Sequence, residues 1–220
     1  MRLELGSPVR CTDGPFGELA DVVIDPTRLR VTHLVVEPHR RHGLARLVPV
    51  ELATPEDGLR PALSLRCTAG ELRRLEPVQE FAYLRLGEHP VNDPDWEIGI
   101  EQVLAMPYFG YAGFGPEQAD YDPHLSMIYD RIPKGEVEIR RASEVVSADG
   151  HGLGHVDGFL VDREDQISHL VLEHGHRWGR REVTIPIGAV TRVKTDAVTV
   201  RLTKDEVGAL PALPVHRWAS

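Results

Sequence analysis

The sequence predicts an all-β chain: two small six-stranded barrels, each closed by a short helix, joined by an ordered irregular connector. Three observations carry that prediction. First, His33-Leu34-Val35-Val36-Glu37 returns almost letter for letter as His169-Leu170-Val171-Leu172-Glu173, so the chain is a tandem duplication. Second, apolar residues come in short runs bounded by Gly, Pro or Asp, with no sustained 3.6-residue period. Third, each copy ends on a Thr-x-x-Glu-apolar pattern, Thr68 to Leu72 and Thr203 to Val207, which is the signature of a capped helical turn.

The repeat extends beyond its central strand. Asp13-Gly14 and Asp149-Gly150 stand upstream, leading to Gly17 and Gly154, and eight positions further on lie Asp25 and Asp162. Downstream, Val48-Pro49-Val50 answers to Ile185-Pro186-Ile187. Spacings between anchors differ by only one or two residues, as expected of loops between fixed strands. Each unit is therefore a domain of roughly 70 residues. The expected boundaries are 1–77 for the first copy, 78–136 for the connector and 137–220 for the second copy.

In the first copy the expected strands are Pro8 to Thr12, Glu18 to Asp25, Val31 to Glu37, Ala45 to Val50 and Ala62 to Arg66, followed by a helical turn from Thr68 to Leu75. The second copy repeats them, including Val156 to Asp162, Ile167 to Glu173, Glu182 to Ile187 and Ala197 to Leu202, then Thr203 to Leu210. Pro49 and Pro186 cannot donate to a ladder, so their strand lies at an edge, bulges or ends there. A barrel this small buries only about 60% of its unfolded surface. The two copies are thus expected to pack on each other about a pseudo-twofold axis.

The connector is different in kind. It carries eleven Asp or Glu against three Lys or Arg, a balance of -8, out of a net charge of -9 for the whole chain. It also holds nine of the thirteen aromatic residues, which argues for order rather than a disordered linker. Pro90, Pro94, Pro107, Pro116 and Pro123 deny it long regular elements, and Glu97 to Ala105 is the segment suited to a short helix. With most of the acidity there, the overall field does not favour bulk nucleic-acid binding.

No apolar run approaches the ~20 residues of a membrane-spanning helix. The N-terminus enters the first repeat without a signal-like segment, so a cytoplasmic protein is expected. Cys11 and Cys67 both lie in the first copy, opposite Ser147 and Leu202 in the second, and read as two buried thiols rather than a disulfide scaffold.

The succession of an opening strand, Asp-Gly, Gly, a hydrophobic strand ending in Asp, a Leu-Val-rich strand, an apolar-Pro-apolar strand and a closing Thr-x-x-Glu-apolar turn resembles the PRC-barrel family. That family is represented in the photosynthetic reaction-centre H subunit and in a ribosome maturation factor. The similarity covers about 70 residues at each end, is clearest from Gly175 to Pro186, and leaves the connector uncovered. It implies six-stranded barrels that act as protein-interaction modules, and it implies no active site. The H subunit's membrane helix and the maturation factor's N-terminal domain have no counterpart here.

Candidate chemistry is sparse. His33, His39 and His42 gather around one hairpin, and His169, His174 and His176 around its counterpart, near Glu37 and Glu173. Ligands four residues apart on a strand are about 13 Å apart, too far to share an ion. No metal or other cofactor is therefore expected. The hairpin tips are basic, with Arg40, Arg41 and Arg46 in one copy and Arg177, Arg180 and Arg181 around Trp178 in the other. They suit phosphate contacts and base stacking, or docking of an acidic partner segment.

Gly150-His151-Gly152-Leu153-Gly154 precedes no helix and so fails as a dinucleotide loop. Neither cysteine has a nucleophile's local signature, and no Gly-x-Ser-x-Gly occurs. The expectation is a non-enzymatic adaptor or scaffold with an unknown protein partner, and a homodimer as its natural extension. Its candidate interaction surface comprises those six arginines, Trp178, and Tyr108, Phe109, Tyr111 and Phe114 of the connector. The alternatives are an RNA- or ribosome-associated factor, and a small-ligand or metal-binding module centred on the connector.

Overall fold

The computed structural model describes residues 1–39, 44–55, 62–85, 96–99, 124–141, 143–174, 181–194 and 196–213. The first copy contributes β1 (Arg2–Glu4), β2 (Pro8–Cys11), β3 (Gly14–Asp25), β4 (Arg30–Pro38), β5 (Arg46–Pro49), β6 (Ala53–Pro55), β7 (Leu63–Leu65) and helix α1 (Ala69–Leu72). The connector contributes β8 (Gln79–Arg85), β9 (Trp96–Gly99) and β10 (His124–Pro133). The second copy contributes β11 (Val137–Arg140), β12 (Glu144–Val146), β13 (Gly152–Val161), β14 (Ile167–His174), β15 (Arg181–Pro186), β16 (Val190–Lys194), β17 (Ala197–Val200), helix α2 (Lys204–Gly208) and β18 (Ala212–Leu213). The fold is all-β, as the sequence predicts.

Each copy curls six of its own strands into a half-barrel sheet. The order is β5-β4-β3-β2-β7-β6 in the first and β15-β14-β13-β12-β17-β16 in the second, where β18 extends the path beyond β15. All neighbours are antiparallel except β2 with β7 and β12 with β17. Inward positions alternate along the central strands: Leu19, Val22 and Ile24 on β3, and Leu34 and Val36 on β4, are buried in one hydrophobic cluster that includes residues of both copies. Pro49 and Pro186 each end their strand and lead into a short 3-10 turn, because a residue without an N–H cannot extend the ladder.

The repeated glycines have a steric cause. A Cβ on Gly17 would collide with the carbonyl oxygen of Glu37, and one on Gly154 with that of Glu173. The central hairpin closes that tightly in both copies. Both closing helices carry a full capping box: Thr68 with Glu71, and Thr203 with Glu206. Each is tied back to the Asp-Gly turn, Ala69 N–H to Asp13 Oδ1 at 2.8 Å and Lys204 N–H to Asp149 Oδ1 at 3.3 Å.

The copies are interlocked. Strand β1 leaves its own copy and pairs with β13 of the second, Leu3 opposite Phe159; β11 returns the exchange by pairing with β3 of the first, Ile139 opposite Val22. After each guest strand the chain turns back at a serine, Ser7 N–H to Glu4 O at 3.1 Å and Ser143 N–H to Arg140 O at 2.9 Å. The two main hairpins also meet tip to tip. Val31 N–H donates to Asp165 O and Ile167 N–H to Leu29 O, both at 3.0 Å, around a bridge between Arg30 and Gln166. Those reciprocal bonds define the pseudo-twofold relation, and residues 1–76 and 135–220 form one compact unit.

Residues 77–134 form a second unit, in which the described strands pair antiparallel in the order β8-β10-β9. This corrects two expectations. The connector's described part is regular β structure, and Glu97 to Gly99 is strand rather than the start of a helix, with Glu97 opposite Ile132 and Ile98 opposite Arg131. Residues 100–105 of the expected helix lie outside the described residues. The physical reason is local: β8 alternates Phe81 and Tyr83 with smaller or polar residues, a period of two that suits a pleated pair and not a helix.

Candidate functional site

The exchange seam is where charged side chains are brought together and buried. On β1, Leu3 enters the core while Arg2 and Glu4 occupy the opposite face. Arg2 Nε lies 2.7 Å from Glu4 Oε1, and its Nη2 lies 2.6 Å from Glu182 Oε2 on β15. Glu4 and Glu182 are only 4% and 1% exposed. On β11 the same two positions carry the charges in reverse order, Glu138 then Arg140, with Arg140 Nε and Nη2 at 3.1 and 2.9 Å from Glu138 Oε2. Desolvating these groups is costly, and each carboxylate is compensated by a guanidinium.

The reversal has a consequence for specificity. The registers make Arg2 equivalent to Glu138 and Glu4 equivalent to Arg140. Were β1 to fold back onto its own β3, Glu4 would stand opposite Asp21, where Arg140 stands now. Were β11 to pair with its own β13, Glu138 would meet Glu182. Both errors place like charges together in a buried seam, so the charge order favours exchange over self-pairing.

Two further carboxyls border the seam. Burial pushes Asp21 up to about 6, although the charge of Arg140 and the N–H of Arg141 favour its ionised form. Burial also pushes Asp157 up to about 6, reinforced by the charges of Glu182, Glu173 and Glu4 and opposed by that of Arg141. Gly158 follows Asp157 because a Cβ there would strike the Leu3 carbonyl of the guest strand. Nearby, Thr32 Oγ1 donates to Glu136 Oε2 at 2.6 Å, and His33 Nδ1 lies 3.5 Å from the same oxygen. Sequence reading places a structural glutamate near His33 but not this one, which arrives from the far side of the connector.

Of the residues singled out from sequence, Arg46 is described in full. Its Nη1 donates to Leu75 O at 3.0 Å, holding the chain after α1 against β5. Arg181 is placed by its backbone in β15, opposite His174. Arg40, Arg41, Arg177, Trp178, Arg180, Tyr108, Phe109, Tyr111 and Phe114 lie outside the described residues, as do His42 and His176. Among the described residues no group of three or more His, Cys, Asp or Glu is placed to hold a metal ion, and no helix is long and apolar enough to cross a membrane.

The residues that sequence reading missed are Arg2, Glu4, Glu138 and Arg140. Their signal was present as apolar alternation, Leu3-x-Leu5 and Val137-x-Ile139, just ahead of each copy's opening strand. It was too short to mark a strand unaided.

Comparison with known families assigns residues 141–207 to the PRC-barrel domain. That stretch runs from just after β11 into α2. No curated protein matches the chain.

Proposed function

We propose that this chain is a non-enzymatic adaptor: a double barrel that serves as a rigid platform for a protein partner, with the connector as its recognition segment. One observation supports it most directly. The two copies are locked into a single compact unit by mutual strand exchange, while the acidic, aromatic-rich connector folds as a unit of its own. Two barrels would need no such interlock if they acted as independent beads. The PRC-barrel match in the second copy supports the same reading at the level of the module.

Homodimerisation takes a particular form under this proposal. The surface that pairs copy with copy is already used within one chain, and intramolecular partners are favoured by their effective concentration. A homodimer would therefore form through other faces. The partner is proposed to be a different protein, met in the cytoplasm.

The test is affinity purification from the native host lysate, using full-length protein beside a version in which residues 78–136 are replaced by a flexible spacer, each with and without nuclease. Defined proteins that survive nuclease and disappear with the connector are the expected result. Recovery of RNA or ribosomal proteins only in the absence of nuclease would overturn the proposal in favour of an RNA-associated factor.

A further inference from the structure

The first copy contains a pair of thiols that its fold does not need. Cys11 ends β2 and Cys67 follows β7, its parallel neighbour; both side chains are buried, at 7% and 8% exposed, and both are free thiols. Thr12 N–H and Thr12 Oγ1 both donate to Cys67 O, at 3.0 and 3.2 Å. The parallel ladder pairs Val9 with Leu63 and Arg10 with Ser64; beyond Leu65 the chain bends, and the Thr12 bond brings Cys67 beside the backbone that follows Cys11. Each thiol lies close enough to the other to affect its acidity.

The second copy supplies the internal control. Ala148 N–H donates to Leu202 O at 2.9 Å, the same bond at the same place, yet the flanking residues are Ser147 and Leu202. Ser147 turns instead to its own loop, its Oγ accepting from His151 N–H at 2.9 Å. The barrel therefore closes equally well without sulfur. Two buried cysteines brought together where adjoining strands end are the kind of pair that a disulfide can bridge.

We propose that Cys11 and Cys67 are a thiol–disulfide modification site, forming a reversible intramolecular disulfide in exchange with a low-molecular-weight disulfide of the glutathione class. One cysteine, deprotonated, attacks a sulfur of the small disulfide, forming a mixed disulfide and releasing one small thiolate. The second cysteine gives up its proton and attacks the protein-side sulfur of the mixed disulfide, expelling the second small thiolate. The protein loses two electrons and two protons, and the small disulfide is reduced to two thiols.

Cys67 is the better first nucleophile. Burial raises both thiols, Cys11 to about 12, while the neighbouring Cys11 thiol favours the ionised form of Cys67. Both thiols are buried and Cys67 stands directly before the Thr68 cap of α1, so exchange is slow in the closed barrel. Once formed, the bond closes residues 11 to 67 into a loop containing nearly the whole first copy, and the second copy has no counterpart.

The test equilibrates full-length protein with reduced and oxidised glutathione over a range of ratios, at a temperature about 10 °C below melting so that opening at α1 does not limit exchange. Acid-quenched samples are read by mass and by peptide mapping. The expected result is a loss of two mass units with a linked peptide pair containing Cys11 and Cys67, a melting temperature several degrees higher than that of the reduced protein, and full reversal by dithiothreitol. Cys67→Ser should acquire at most one glutathione adduct and show no such rise. Two free thiols at every ratio, stable mixed disulfides, or links only between chains would each overturn the proposal.

Discussion

The two copies share their backbone devices and differ in the side chains placed on them. Both close a hairpin over a glycine that admits no Cβ, both tie a capping-box helix to an Asp-Gly turn, and both accept a guest strand at the same register. Against that shared frame the guest strands carry opposite charge order, and only the first copy has paired thiols. The difference teaches that side chains, rather than the shared backbone frame, distinguish the two slots. Two identical copies would have no means of telling exchange from self-pairing; these do.

The largest expected effect comes from breaking the charge code. Arg2→Ala removes a guanidinium from two buried carboxylates, and Arg140→Ala removes one from Glu138. Each should cost about 3–5 kcal/mol, because each removes one member of a buried ion pair. Urea-unfolding midpoints of full-length protein measure this. The double change Arg2→Glu with Glu4→Arg, which gives β1 the order of β11, should be worse than Arg2→Ala alone. Equal stability of the two variants would show that charge order does not discriminate between slots.

A middle-sized effect separates the copies by pH. Asp21 and Asp157 ordinarily lose a proton near 3.8 but do so near 6 in the fold. Their protonated forms are the ones the fold favours. Their contribution is thus fully present below about 3.8 and is lost as pH rises through about 6. Asp157→Asn should therefore stabilise the protein by about 1–2 kcal/mol at pH 7.5, most of that gain vanishing by pH 4. Asp21→Asn should gain less, since the asparagine gives up a charge that Arg140 compensates. A gain from Asp157→Asn that is independent of pH would show that burial of its charge is not the cause.

The smallest effect tests equivalence itself. Thr68→Ala and Thr203→Ala each remove the acceptor of a capping box and should each cost about 1 kcal/mol. A difference between them well above the error of thermal unfolding would mean that the two lids do not contribute alike.

The capped helical turns were legible residue by residue, because a threonine, a glutamate three positions on and one apolar residue make the motif without outside help. The strands around Val22, Val35 and Val171 were legible for a related reason: their apolar character extends over enough residues to declare itself. Strands β1 and β11 were not. Three or four residues with two apolar positions carry too little signal, and their partners lie 154 or more and 113 or more positions away along the chain. Strands β6 and β16 were missed likewise, being short or largely exposed edge segments. For the connector, composition indicated order but not kind; the pairing of β10 with both β8 and β9 supplied the sheet.

What the sequence determined by itself was the duplication, the all-β class, the turn and cap chemistry and the concentration of acidity in the connector, all of which depend on neighbours within a few residues. Only the tertiary structure decided which copy each opening strand joins, which buried charges meet across the seam, and that Cys67 comes to lie beside Cys11. Those depend on long-range pairings, and many such pairings satisfy the same local pattern; packing and charge select one of them.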